Sequence, residues 1–358
     1  MSGTLPNQNT RFIGYFPAGD IHAQNYQVND IPANLLTHVI YAFANVTATG
    51  DCESVDAEDD AVNFPQLLEL KAEYPELLVL ISVGGASHST YFSAVCADST
   101  MRQHLAQSCV QFMKQNDFDG IDIDWEFPRA ADSENFTALL SGLRSALDAQ
   151  GEVDGRHYLL TIAAPAGAGN IANLQLALIY PSLDWINLET YDFSVASSPK
   201  TNFVAPLFTY EGALNVDAAV KSYLGAGVPA DKIVMGVRFV GTGWQGVGPT
   251  NNGLYQPDAG PAKGTWDLPA AKPSGSFGYQ DIEDNYLPSY TRSWDKKAQV
   301  PWLYNAGTEI MISYEDPQSL TCKADYVLAN QLSGIMIWEL GADDNQGTLV
   351  KTIASALA

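Results

Sequence analysis

Basic side chains are scarce in this sequence. Against 41 aspartates and glutamates the 358 residues carry 18 lysines and arginines, a formal charge of −23 with histidine neutral. So acidic a surface is repelled by phosphate, which argues against nucleic acid and against an anionic membrane as partners. Cysteine is scarce too: Cys52, Cys96, Cys109 and Cys322 are too scattered for a disulfide scaffold, and their spacing suits no zinc site. Buried thiols, with room for one bridge, are expected. No apolar run reaches the roughly 18 residues of a membrane span. Met1–Thr10, MSGTLPNQNT, has neither the basic start nor the apolar stretch of a signal peptide. Charged residues make up 16% and apolar ones 46%, the balance of a chain that folds around a large core.

Short β-branched and aromatic runs recur along the chain. Arg11–Phe16, Thr37–Phe43, Leu77–Val83, Gly120–Glu126, Tyr158–Ala163, Trp185–Tyr191, Lys232–Phe239 and Gly334–Leu340 read as strands. Amphipathic stretches separate them, one with Met101, Leu105, Cys109, Phe112 and Met113 on its apolar face, another with Phe136, Leu139, Leu140, Leu143 and Leu147. Strands alternating with helices imply a parallel α/β sheet, and eight of them can close into a (β/α)₈ TIM barrel; an open doubly wound sheet is the alternative. The rhythm breaks once. Residues 241–310 are too long for a loop and hold Trp266, Tyr279, Tyr286, Tyr290, Trp294 and Trp302. They read as a small α+β insertion subdomain between strands 7 and 8, with strand-like pieces at Gly253–Tyr255 and Ile310–Tyr314, and the barrel is expected over 11–240 and 311–358.

The chemistry concentrates in Asp117-Phe-Asp-Gly-Ile-Asp-Ile-Asp-Trp-Glu126. If Gly120–Glu126 is a strand, its two-residue period puts Asp122, Asp124 and Glu126 on one face, about 6–7 Å apart, and Ile121, Ile123 and Trp125 on the other. The apolar set can bury against barrel helices, so the acidic set would line the interior, with Glu126 nearest the carboxyl end where barrel active sites lie. Crowded carboxylates raise at least one pKa, and a raised carboxyl is a general acid. Asp119 differs in parity from the inward three and reads as structural. A solvated edge strand is the bland alternative, weakened by the Ile, Ile and Trp on the other face. A magnesium or calcium site is a further alternative, but no histidine or glycine-turn ligand loop accompanies the acids. No metal and no cofactor are expected.

These residues resemble a known family. Asp119-x-x-Asp122-x-Asp124-x-Glu126 is similar to the D-x-x-D-x-D-x-E signature of the chitinases of glycoside hydrolase family 18. Ser82-Val-Gly84-Gly85, Tyr191-Asp192 and Trp338-Glu339-Leu340 resemble the family's S-x-G-G, Y-D and W-E-L, and the inserted segment resembles the insertion domain that deepens the substrate cleft. The resemblance implies a chitinase, endo- or exo-acting, hydrolysing β-1,4-N-acetylglucosamine linkages with retention, the substrate's own acetamido group serving as nucleophile. It implies that Glu126 protonates the glycosidic oxygen, that Asp124 holds the acetamido N–H and stabilises the oxazolinium, that Asp122 tunes Asp124, and that Tyr191 donates to the acetamido carbonyl. Asp192, Trp338, Tyr15, Phe43, Ser82, Phe127 and Glu189 are the substrate-binding residues it implies. A chitin or chitooligosaccharide partner, a monomer and an extracellular location go with it. A non-hydrolytic chitin-binding lectin and an endo-β-N-acetylglucosaminidase are the alternatives; the presence of Glu126 argues against the first, the insertion against the second.

The sequence also departs from the family's pattern. Glu189 stands where a methionine is usual, Ala86 where a tryptophan often follows the two glycines, and Val240 and Thr242 at sites commonly Tyr and Arg. Lost stacking and guanidinium contacts bear on polymer grip and subsite preference. A carboxylate at Glu189, if inward, would shift the pH optimum or favour a cationic, partly deacetylated substrate.

Overall fold

The computed structural model describes residues 10–358 except 210, 211 and 213. Residues 1–9, where the sequence shows no leader pattern, lie outside the described residues. Parallel strands form the centre: β1 Arg11–Pro17, β2 His38–Val46, β3 Leu78–Gly84, β4 Gly120–Asp124, β5 Leu159–Pro165, β6 Trp185–Glu189, β7 Ile233–Arg238 and β8 Gly334–Trp338. Each pairs with its successor, and β1 pairs with both β8 and β2, which closes the eight-stranded barrel. Helices follow the strands on the outside. Ser99–Gln115 buries Leu105, Cys109 and Met113, its first turn capped by Asp98, whose carboxylate accepts from the N–H of Thr100 and Met101. Ser133–Asp154 buries Phe136, Leu139, Leu140, Leu143 and Leu147 and ends at Gly155, whose φ of +70° suits glycine.

β4 shows the alternation that places the acids. Ile121, Ile123 and Trp125 are buried outward, with Trp125 stacked on Phe92 at 5.0 Å and edge-on to Phe136 at 5.7 Å. The inward layers hold Ile13, Tyr15, Ile40, Leu80, Trp185, Val234 and Met336. Three strands end two residues sooner than expected. β4 stops at Asp124 because the N–H of Glu126 goes to Ser89 Oγ at 2.9 Å instead of to the ladder. β6 stops at Glu189; two residues past Thr190, whose N–H turns back to the Leu188 carbonyl, Asp192 takes φ +54°, which no pleated strand accommodates. β8 stops at Trp338, before the short helical turn Leu340–Ala342.

The insertion carries an antiparallel sheet in the order Ser276–Phe277, Gly241–Trp244, Ile310–Ser313, Val300–Asn305, Thr291–Asp295. Its last strand in the chain, Ile310–Ser313, pairs within this sheet and so runs past the expected boundary at residue 310. The two faces have different neighbours: Trp302, Tyr304 and Met311 join a local cluster with Trp244 and Val300, while Leu303 and Ile312 join the main core. Gly253–Tyr255 is not a strand. Asn251, Asn252, Gly253 and Tyr255 all have positive φ, and the chain makes a tight turn there that brings Gly253 against the Tyr304 ring. The four cysteines are free, with Cys52, Cys96 and Cys109 buried and Cys322 half-buried. No described helix is long and apolar enough to cross a membrane.

Candidate active site

Asp122 is the hub inside the barrel. It is fully buried and accepts four hydrogen bonds, at Oδ2 from Tyr15 (2.9 Å) and Ser82 (2.8 Å), at Oδ1 from Thr161 (2.6 Å) and Asn187 (3.3 Å). Burial raises its carboxyl pKa and the donors pull it back, leaving it above the usual value. Asp124, two residues nearer the carboxyl end, is also buried, but its Oδ1 has no hydrogen-bond partner. Burial, then Glu126, then Asp122 push its pKa well up. Glu126 is half-buried and raised by burial and then by Asp192, while the Ala86 backbone N–H, donating to its carboxylate, works the other way.

A cavity of about 300 Å³ opens at this end of the barrel. Tyr15, Phe43, Asp124, Glu126, Glu189, Tyr191, Asp192 and Trp338 line it, and Ala86, Ser87, His88 and Ala163 complete the wall. The Trp338 ring lies 5.9 Å from Phe43, nearly parallel at 25°, and 5.7 Å from Tyr15 at 57°. Room for the Tyr191 ring depends on Gly236, where an added Cβ would come within 2.9 Å of Tyr191 and 2.3 Å of the Leu188 carbonyl. Burial, then Glu189, raise the Tyr191 hydroxyl pKa, so the phenol stays a donor. Carboxylate oxygens of Asp124, Glu126 and Glu189 lie within 4.8 Å of one another, near enough for one cation to touch all three.

Two expected sugar-contacting residues lie outside this lining. Ser82 is fully buried and spends its hydroxyl on Asp122. Phe127 is half-buried and is not part of the cavity lining. Asp119, buried at 3%, accepts from the Val79 N–H and pairs with Lys71 (2.9 Å) and Arg156 (2.5 Å), so it ties strands and cations together at the opposite end. Of the departures, Ala86 lines the cavity, whereas Val240 and Thr242 are buried away from it. No insertion residue lines the cavity. Sequence reasoning missed Thr161 and Asn187, which hold Asp122, and Arg238, which pairs with Asp192 at 3.1 Å and donates to Thr242 at 2.9 Å.

Comparison with known proteins places this geometry. The chain matches the model of the family "Glycosyl hydrolases family 18" over residues 11–343. It is 37% identical to Chitinase A1 of Niallia circulans over 94% of this chain, though it spans only 57% of that protein's length. A chitinase from Bacillus thuringiensis superposes with a TM-score of 0.91 at 34% identity, covering 98% of this chain and 70% of that one. A class V chitinase from Nicotiana tobaccum, solved in complex with NAG4, superposes with a TM-score of 0.87 at 28% identity, covering 98% and 99%. The chain therefore belongs to family 18 of the glycosyl hydrolases.

Proposed function

We propose that the protein is a chitinase that cleaves β-1,4-linked N-acetylglucosamine with retention, through an oxazolinium formed by the substrate's own acetamido group. The observation that carries this reading is the unpartnered Oδ1 of buried Asp124, one turn of the pleat from the half-buried Glu126. An acetamido N–H would satisfy that oxygen, and an unsatisfied buried carboxylate oxygen otherwise costs about 1–3 kcal/mol. With Asp124 holding the N–H and the Tyr191 hydroxyl donating to the carbonyl oxygen, that oxygen attacks the anomeric carbon as Glu126 gives its proton to the departing glycosidic oxygen. Water then opens the oxazolinium, returning its proton to Glu126. Asp122, held by its four donors, shares charge with Asp124, while Trp338, Tyr15 and Phe43 offer an apolar floor to the ring. The relatives named chitinase, and the NAG4 complex among them, support the substrate class. Because chitin is insoluble, we place the activity outside the cell.

Glu126→Gln keeps the shape of the acid without its proton, so hydrolysis of chitin oligomers should fall at least about 100-fold with the fold intact. In the parent, proton NMR during the first minutes should show the β-anomer, since two inversions at one carbon restore its configuration. An initial α-anomer, or near-parental turnover by Glu126→Gln, overturns the mechanism.

A further inference from the structure

The mechanism above uses Asp122, Asp124, Glu126 and Tyr191 and leaves two carboxylates of the cavity lining without a task, Asp192, which pairs with Arg238, and Glu189. Glu189 ends β6, two residues after Asn187, and shares that residue's inward parity. It lines the cavity, with its oxygens within 4.8 Å of those of Asp124 and Glu126. Among the described residues nothing donates a hydrogen bond to it or pairs with it, and Asp124 beside it, 4% exposed, keeps an unpartnered Oδ1. The groups that act on Glu189 most strongly after burial are carboxylates, in the order Asp124, Glu126, Asp192, Asp122. The other titratable groups are Tyr15, Tyr191 and His88 in the wall and Tyr223 behind it. Arg238, the guanidinium nearby, is already taken by Asp192 at 3.1 Å and Thr242 at 2.9 Å. Asp124, Glu126 and Glu189 thus face one another with no salt-bridge partner among the described residues.

We propose that Glu189 adapts this active site to bind a primary ammonium: a glucosamine unit, deacetylated at its 2-amino group, seated between Glu189, Asp124 and Glu126. This rests on the chitinase reading above and deepens it. An ammonium has three N–H donors and a unit charge, which matches three converging carboxylates. Oxygens about 2.8 Å from one nitrogen along its N–H directions lie about 4.6 Å apart, inside the spacing found. The unit so held has no acetamido oxygen to attack its own anomeric carbon, so it occupies the site without being cleaved there. Partly deacetylated chains then act on this enzyme as competing ligands. Burial and the neighbouring carboxylates raise the pKa of both Glu189 and Asp124, so an entering ammonium, which favours their ionised forms, draws protons from the pair.

The test is calorimetry and inhibition with the glucosamine tetramer at about pH 6, using the parent, Glu189→Gln and Glu189→Met. In the parent the tetramer should compete with N-acetylated substrate and remain uncleaved, and its binding heat should differ between buffers in the way proton release requires. Removing one charge-assisted partner should weaken it about 10- to 100-fold in either variant and abolish most of the proton release. Equal affinity for the glucosamine tetramer in the parent and both variants overturns the inference. So does inhibition that depends on Glu189 with calcium, magnesium or zinc chloride but not with the tetramer, which would make the cluster a metal site. Failure of the parent to hydrolyse N-acetylated tetramer sinks the chitinase reading instead, and the Glu189 dependence of tetramer binding is still read directly.

Discussion

Asp192 adopts a left-handed backbone, pairs with Arg238, and after burial is the charge that raises Glu126 most. Asparagine tolerates that backbone as well as aspartate does, so Asp192→Asn removes charge with little strain. An acid that must be protonated to work loses activity as pH rises through its pKa. Without the neighbouring negative charge Glu126 ionises sooner, and the alkaline limb of kcat/KM should move to lower pH. A limb that stays put or moves up would mean that another group sets it. At this scale the sequence was legible where one strand carries the pattern: the parity of Asp122 and Asp124 needs nothing beyond a two-residue period. Thr161 and Asn187 share the inward parity of Ala163 and Glu189 on their own strands. What parity does not contain is the stagger of neighbouring strands, which decides which inward side chains meet across the barrel. The same gap hid the place of Ser82, whose hydroxyl goes to Asp122 and which lies outside the cavity lining.

Elements show a parallel limit. The helix Ser133–Asp154 was readable because its apolar positions recur with helical spacing from Phe136 to Leu147, about three turns, and a glycine ends it. The helix Pro317–Ala329 carries Leu320, Ala324 and Val327 inward, but also Lys323, which is fully buried and paired with Glu315. A lysine in such a pattern reads as solvated, since the sequence does not show the partner that makes burial tolerable. Glu315 is raised by burial, more than Lys323 lowers it, and its Oε2 is unpartnered. Lys323→Met should therefore cost about 3–5 kcal/mol in urea unfolding at neutral pH, and less in acid, where the stranded carboxyl takes up a proton. Replacing both partners, Glu315→Leu with Lys323→Met, should restore most of the loss. A double variant as unstable as the single would show that the pair itself, rather than the stranded charge, holds the helix in place. The insertion illustrates the other side: its aromatics signalled order, while the sheet's two faces, each with its own apolar cluster, and the left-handed turn at Asn251–Asn252 gave no periodic signature.

For the whole molecule the excess of acids, −23 overall, meets a barrel whose carboxyl end collects buried carboxyl groups. Close to the end of β8, Asp20 is pushed up to about 9, by burial and then by Glu339, and its Oδ2 has no partner. Asp343 is pushed up to about 6 by burial. Each of these folded pKa values stands above the ordinary 3.8, so the folded state keeps a proton that the unfolded chain has released. Stability from such a group is fully present below the unfolded pKa and is lost as pH rises to the folded one. His38 has the opposite sign, pushed down to about 3 by burial, but above about pH 7 it is neutral in both states and drops out, as Asp343 does. Between about pH 7 and 9 Asp20 is thus still losing its proton, and the melting temperature should fall across that window. Self-repulsion of the net charge has the same sign but is screened by salt, whereas a buried pair is screened far less. The decline should therefore survive in about 0.5 M sodium chloride and flatten in Asp20→Asn, whose amide carries no proton to lose. If salt abolishes the slope in the parent, surface charge governs alkaline stability, and if Asp20→Asn keeps it in full, the Asp20–Glu339 pair does not.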